Sequence, residues 1–261
     1  MVRGIYTGAS GMTAKMHEMD IISNNLANVG TEGFKKDTAC FKAFPEMLIS
    51  RIDDNGVIKL PIGSIDTRPI TGTLGTGVEV NEVFTEFSQA PLKRTDNSFD
   101  LSIDGRGFFS VLTDRGERYT RNGTFILNKE NHVVTKEGWN LMGTNGPVRV
   151  EGNFAVNEKG EIYSNGEFQN TLKIIDFENN RYIKKEGNSF YRSTDLSGKA
   201  AQLSPSDFSV KQGFLEASNI NPVREMVEMI KVQRSYEASQ KSIHTHSDAL
   251  HKLVNEMTRI V

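Results

Sequence analysis

The chain contains one cysteine, Cys40. No internal disulfide can form, and a cysteine-based zinc site is excluded. Apolar runs are short everywhere; none approaches the roughly 18 residues that a membrane-crossing helix needs. A charge excess is missing too. Lys plus Arg number 31 and Asp plus Glu 33, for a net charge of −2. Without a basic stripe interleaved with aromatics there is no electrostatic case for nucleic acid. The N-terminus carries Arg3 but no apolar core or small-residue cleavage site, so no cleaved secretory signal is expected. Hydrophobic residues make up 37% of the 261 positions. That is low for a single compact enzyme and suits an elongated particle with much solvated surface.

What is present lies first at the two ends. Ile5, Met12, Met19 and Leu26 recur at intervals of seven, with Ala9, Met16 and Ser23 between them. Near the C-terminus Met229, Tyr236, Ile243, Leu250 and Met257 do the same, interleaved with Met226, Gln233, Gln240, Ser247 and Val254. Such spacing lays one stripe along each helix and favours lengthwise packing on another helix. A single stripe can also pack on the chain's own core. Here the seam is long, roughly 60 Å for the last segment, diluted by Gln and Ser, and softened by methionine, which favours packing between chains. The first helix is expected to stop near Asn28, with Gly30 and Gly33 as left-handed caps. The last has Asn221 as a cap and Pro222 at its first helical position.

Periodicity is lost over 34–77, where Pro45, Pro61 and Pro69 are spread among five glycines. This reads as an extended arm with a short helix over Phe41–Arg51. From Val78 short strands follow one another: Phe99–Ile103, Phe108–Leu112, Arg118–Arg121, Phe125–Leu127, His132–Thr135, Trp139–Met142 and on to Leu172–Phe177. Asp114-Arg115-Gly116 reads as a turn and Asn122-Gly123 as a hairpin. The fold class is therefore α+β. Long N- and C-terminal helices pair in coiled-coil fashion around an inserted antiparallel β-rich domain. The expected division is a helical part of 1–33 and 218–261, an arm of 34–77 with 211–217, and a β domain of 78–210.

Reactive chemistry is sparse. Gly105-Arg106-Gly107 runs into Phe108-Phe109-Ser110-Val111, a strand, whereas a phosphate cradle needs a helix there. Gly105 and Gly107 read instead as backbone turn residues. Asp100, Asp104 and Asp114 sit at strand edges and turns, where Asp is ordinary, so they make a poor glycosidase pair. His244, Asp248 and His251 share one helical face, which reads as a solvated face rather than a metal site. No catalytic residue, cofactor, metal or small-molecule substrate is expected.

Three blocks remain. The first is Ser23-Asn24-Asn25-Leu26-Ala27-Asn28, continued by Thr31, Gly33, Phe34 and Lys35. The second runs through Gly105, Gly107, Phe108 and Phe109 to Tyr119-Thr120-Arg121-Asn122-Gly123. The third is Glu216-Ala217-Ser218-Asn219, continued by Gln233-Arg234-Ser235-Tyr236-Glu237. In this order, end to end, they closely resemble the signatures of the bacterial flagellar basal-body rod and hook family. The chain's length resembles that of proximal-rod or distal-rod members, and the lack of a match to the distal rod's arm over 45–75 favours the proximal type. The resemblance implies a structural, self-assembling subunit exported unfolded through the flagellar type III pathway. Its partners would be copies of itself and other rod and hook subunits in a helical shaft. The terminal helices would form the inner tube, the β domain an outer layer, and the arm would bridge neighbours. A coiled-coil-anchored binding module, such as an adhesin or phage-tail component, is the alternative. It would want a concave site, whereas Phe108, Phe109, Tyr119, Phe125 and Trp139 read as core.

Overall fold

A computed structural model of the chain describes residues 2–50, 57–60, 63–66, 70–187 and 189–257. It is α+β: helix α1 (Val2–Ala27) and helix α2 (Pro222–Met257) enclose a β-rich middle. Two compact units result. One comprises Met1–Ser23, Ala39–Val83 and Met226–Val261, the other Asn24–Thr38 and Phe84–Glu225.

In the first unit, α1 and α2 meet through glycine. A Cβ on Gly4 would lie 3.0 Å from His246 Nε2, one on Gly8 2.9 Å from Ile243 Cγ1, and one on Gly11 3.8 Å from Ser239 Oγ. Rising numbers on α1 face falling numbers on α2, so the helices run antiparallel. At Gly4 and Gly8 the close approach selects glycine, at a cost of about 1 kcal/mol each in helix propensity. It also rotates the seam. Ala14 and Ile22 are buried on α1, and Val232 on α2. The seven-residue series Ile5, Met12, Met19 and Leu26 is half-buried, and Ala9, Met16 and Ser23 are exposed. On α2, Met229, Tyr236, Ile243, Leu250 and Ser247 are half-buried, whereas Met226, Gln233, Gln240 and Val254 are exposed. The side chain of Met257 lies outside the described residues.

The described part of the arm is largely strand. β1 (Asp37–Ala43), β2 (Met47–Ser50), β3 (Val57–Leu60), β4 (Gly63–Asp66), β5 (Ile70–Leu74) and β6 (Val78–Thr85) pair as β1–β6, β2–β5 and β3–β4. The helix expected over Phe41–Arg51 is absent from 41–50, and Arg51 lies outside the described residues. Pro45 interrupts any helix there, and Met47, Leu48 and Ile49 find cross-strand partners in Leu74, Thr73 and Gly72 instead. Within the same unit Ser10 Oγ accepts the Val78 amide at 3.3 Å.

The second unit holds the β-rich core. Its strands are β7 (Leu92–Arg94), β8 (Leu101–Gly105), β9 (Phe108–Thr113), β10 (Gly116–Thr120), β11 (Phe125–Leu127), β12 (Val133–Thr135), β13 (Asn140–Gly143) and β14 (Gly146–Pro147). They continue as β15 (Phe154–Val156), β16 (Glu161–Ser164), β17 (Glu167–Thr171), β18 (Ile174–Asp176), β19 (Lys184–Lys185), β20 (Phe190–Arg192), β21 (Ala201–Gln202), β22 (Phe208–Gln212) and β23 (Phe214–Glu216). The main sheet runs β11-β12-β13-β9-β10-β20-β19, with β18 also on β9. Asp114-Arg115 closes the β9–β10 hairpin, and Gly116 pairs with Thr113 at φ +97°. Side chains alternate across a strand, so Phe108 and Phe109 serve two cores. Phe109 meets Phe125 edge-on at 5.4 Å among Leu101, Ile103 and Leu141, while Phe108 packs with Tyr119, Phe177 and Tyr191. Gly107 turns at φ +107°, and a Cβ there would lie 2.6 Å from Ile174 Cγ2.

Asn122-Gly123 is not a hairpin. β10 pairs with β9 and β20, and β11 with β12, so the dipeptide connects strands that are not partners. Asn122 Oδ1 accepts the Thr124 amide at 3.0 Å, an Asx turn. Gly123 is needed because Leu101 passes over it: a Cβ would fall 1.5 Å from Leu101 O. The Leu101 amide donates to Gly123 O at 3.0 Å.

Candidate functional site

Most of the three sequence blocks, 24–35, 105–123 and 216–219, converge inside the second unit. Asn28 ends α1, its Nδ2 donating to Asn24 O at 2.9 Å and its Oδ1 accepting Thr31 Oγ1 at 3.3 Å. This side-chain cap replaces the glycine cap expected at Gly30 and Gly33: Gly30 does not take the left-handed conformation, and Gly33, which does, serves elsewhere. Asn25 is buried and acts as a strand edge. Its amide donates to Asp37 O at 2.8 Å, and its Oδ1 accepts the Asp37 amide at 3.0 Å. At Gly33 the backbone is left-handed, φ +68°, and a Cβ would lie 2.5 Å from Arg121 C and Asn122 N. The Gly33 amide donates to Glu216 O at 2.7 Å. One residue of the first block thus touches both others.

Beside this contact three charges are buried together. Glu216 is 1% exposed, Lys35 0% and Arg121 6%. Lys35 Nζ donates to Glu216 Oε1 at 2.6 Å and to Ser88 O at 2.8 Å. Arg121 reaches Glu216 Oε2 at 3.4 Å and Gly105 O at 2.8 Å, with its guanidinium over the Phe108 ring. The Ala90 amide also donates to Glu216 Oε1, at 3.0 Å. Two cations share one carboxylate, so burial dominates their titration. Desolvation pulls both Lys35 and Arg121 below their ordinary values, with the Glu216 charge opposing. Burial pushes the Tyr191 phenol up.

A second ring of contacts fastens the neighbouring backbone. Asn219 Oδ1 accepts the Lys36 amide at 2.8 Å, and its Nδ2 donates to Glu86 O at 2.9 Å. Lys36 pairs with the buried Glu225 in the first turn of α2. Lys185 Nζ meets Asp37 Oδ2 at 3.0 Å and lies 3.6 Å from the Phe34 ring centroid. Ser218 accepts the Ile220 amide at 3.4 Å. Asn221 caps α2 as the sequence indicates, its Oδ1 accepting the Val223 and Arg224 amides at 3.1 and 3.2 Å. The rest of the third block is on α2: Gln233, Arg234 and Glu237 are exposed, and Gln233 Nε2 donates to Glu237 Oε1 at 3.2 Å.

Both Glu216 oxygens are filled by the chain itself, and the cluster is closed to solvent. Its chemistry is fastening. The partners Ser88, Asp37, Lys185 and Glu225 had no sequence signal. The triad had no charge signal either, because each block also carries or lies beside charge of the other sign, Glu32, Asp104 and Lys231 among them.

Sequence profiles of known families match at the same places. One described as "Flagella basal body rod protein" matches residues 5–35, "Flagellar hook protein FlgE/F/G D1 domain" matches 102–174, and "Flagellar basal body rod FlgEFG protein C-terminal" matches 211–257. The chain is 34% identical to the flagellar hook-basal body complex protein FlhO of Bacillus subtilis (strain 168) over 277 residues, covering 100% of both chains. It is 33% identical to FlgG of the same organism, covering 98% of this chain and 99% of that one. It is 30% identical to FlgF of Caulobacter vibrioides, covering 100% of both. The chain belongs to the flagellar basal-body rod protein family. It is a structural rod subunit of the flagellar basal body, and no relative supports an adhesin or phage-tail reading. Each of the three profiles supplies one member of the buried triad: Lys35, Arg121 and Glu216 in turn.

Proposed function

We propose that this rod subunit polymerises helically with copies of itself and other rod and hook subunits. The resulting axial shaft carries torque from motor to hook. The contacts would be heterologous and non-closing, so they propagate. The terminal helices, 1–33 and 218–261, pair in coiled-coil fashion and form the inner wall. The β domain of 78–210 lies outside, and the arm of 34–77 with 211–217 reaches neighbours. The subunit catalyses nothing, takes no cofactor or small-molecule substrate, does not insert into membrane, and is exported by the type III apparatus without a cleaved signal.

The supporting observation is the unused part of the stripes. The α1–α2 approach runs through Gly4, Gly8 and Gly11, and Met16 stays 48% and Met226 49% exposed. Large apolar side chains at heptad spacing, left open by the subunit's own packing, are what a neighbouring helix covers. Met16→Asp and Met226→Asp are the test. Both sites are exposed, so the isolated subunit should keep its stability to within about 0.5 kcal/mol. In an assembled wall each would bury an unpaired carboxylate, costing several kcal/mol per subunit. Motility and isolated basal bodies should lose the rod, while His251→Asp on the exposed face stays motile. Normal rods with both stripe variants would refute the interface.

A further inference from the structure

We infer that Glu216 is the key of a late-closing lock: the segment Asn24–Thr38 docks in its unit only once Glu216 arrives between Lys35 and Arg121. This goes beyond the rod assignment and does not depend on it. The lock is non-local. Glu216 lies 181 residues from Lys35 and 95 from Arg121, whereas β9 and β10 join through a two-residue turn. Loop closure makes the distant contacts late.

Charge makes them conditional as well. Lys35 is fully buried with one carboxylate, Glu216, in contact. Arg121 has the same carboxylate and two carbonyls, and its Nε, buried, has no protein acceptor. Before Glu216 arrives, docking Lys35 beside Arg121 would place two cations together out of water with no carboxylate in contact with either, which is strongly disfavoured. Once it arrives, one residue satisfies four donors. Its carboxylate takes Lys35, Arg121 and the Ala90 amide, and its carbonyl takes the Gly33 amide. The adjacent Asn219 then accepts the Lys36 amide. Side-chain and backbone locks close in one stroke, at the third sequence block.

Hydrogen exchange on the full chain tests this. The reporters are the Gly33 and Lys36 amides, held by Glu216 O and Asn219 Oδ1, against Val111 and Tyr119 amides in the β9–β10 hairpin. Glu216→Gln keeps the shape and removes the charge. We expect exchange at Gly33 and Lys36 to accelerate by about 100-fold or more, with Val111 and Tyr119 changing by less than about threefold. Adding Lys35→Met removes one uncompensated cation and should return at least about a tenfold part of the protection. In pulse-labelled refolding of the unaltered chain, Val111 and Tyr119 should be protected in an earlier phase than Gly33 and Lys36. The inference falls if Glu216→Gln leaves Gly33 and Lys36 protected, or if all four amides lose protection equally. It falls too if Lys35→Met worsens the loss, or if all four amides gain protection in one phase.

Discussion

Gly123→Ala should be among the most damaging single-methyl additions in this chain. The added Cβ would stand 1.5 Å from Leu101 O and 2.7 Å from Leu101 C. Both are backbone atoms, so no side chain can swing away, and β8 must shift. Gly123 is not in the left-handed region, so the cost is steric. Overpacking accounts for about 1–3 kcal/mol. The shift also strains the Leu101 N–Gly123 O bond and the Asp100–Thr124 bridge, at about 1 kcal/mol each. Leu101 and Ile103, both in the core, move with the strand. The sum is about 4 kcal/mol. Were Asn122-Gly123 a hairpin turn, the same substitution would cost only the left-handed penalty, about 1–2 kcal/mol. Urea unfolding followed through Trp139, the single tryptophan, separates the two. A loss near 1 kcal/mol, with β8 amide shifts unmoved, would refute the crossing.

Gly107→Val should lower the stability of the β-rich unit by about 2–5 kcal/mol, through positive φ and the contacts with Ile174 and Leu203; unchanged urea unfolding would refute this. On α1, Gly8→Val should disrupt the approach to Ile243, whereas Gly11→Ala, whose Cβ would sit in ordinary contact 3.8 Å from Ser239 Oγ, should stabilise the helix by up to about 1 kcal/mol; the reverse order in thermal unfolding would overturn the seam. Burial and the Glu117 charge push the Tyr119 phenol up to about 12, and burial raises that of Tyr191. The unfolded chain releases these protons near pH 10, so their contribution is whole below about pH 10 and is lost as pH climbs towards 12. Phenolate absorbance should therefore show a late step coincident with loss of circular dichroism; all six tyrosines ionising near pH 10 in a folded chain would contradict it.

The helices were legible because period and caps are local: Asn221-Pro222 marks the start of α2 to the residue. The strands from Phe108 to Met142 were legible because each carries its own alternation and turn. Within the subunit the close approach falls on Gly4 and Gly8, which carry no hydrophobic signal, and on α2 it meets the stripe residue Ile243. The helix over Phe41–Arg51 failed because its apolar residues answer to Ile70–Leu74, far along the chain. Asn122-Gly123 misled for the same reason: the demand for glycine comes from Leu101, and a dipeptide cannot reveal who passes over it. At the junction the motif residues were visible, but not their arrangement. Buried charges look like surface charges until their partners are known.

The helix seam and the junction divide the molecule by task. On the helices the close approach within the chain is made by Gly4 and Gly8, and Met16 and Met226 stay about half exposed. At the junction nothing is left over on Glu216: each of its three oxygens has a donor from elsewhere in the chain. A subunit that waits for neighbours needs the first condition, because a stripe satisfied internally has no reason to bind. A subunit that passes load needs the second, because a connection with an unfilled charge would open before the sheet beside it. Two helices of equal apolar content without the glycines would sit farther apart. They would bring their large side chains into the mutual seam and remove the exposed stripe that we propose as the assembly surface. The glycines on α1 therefore matter as much for what they keep exposed as for what they let approach.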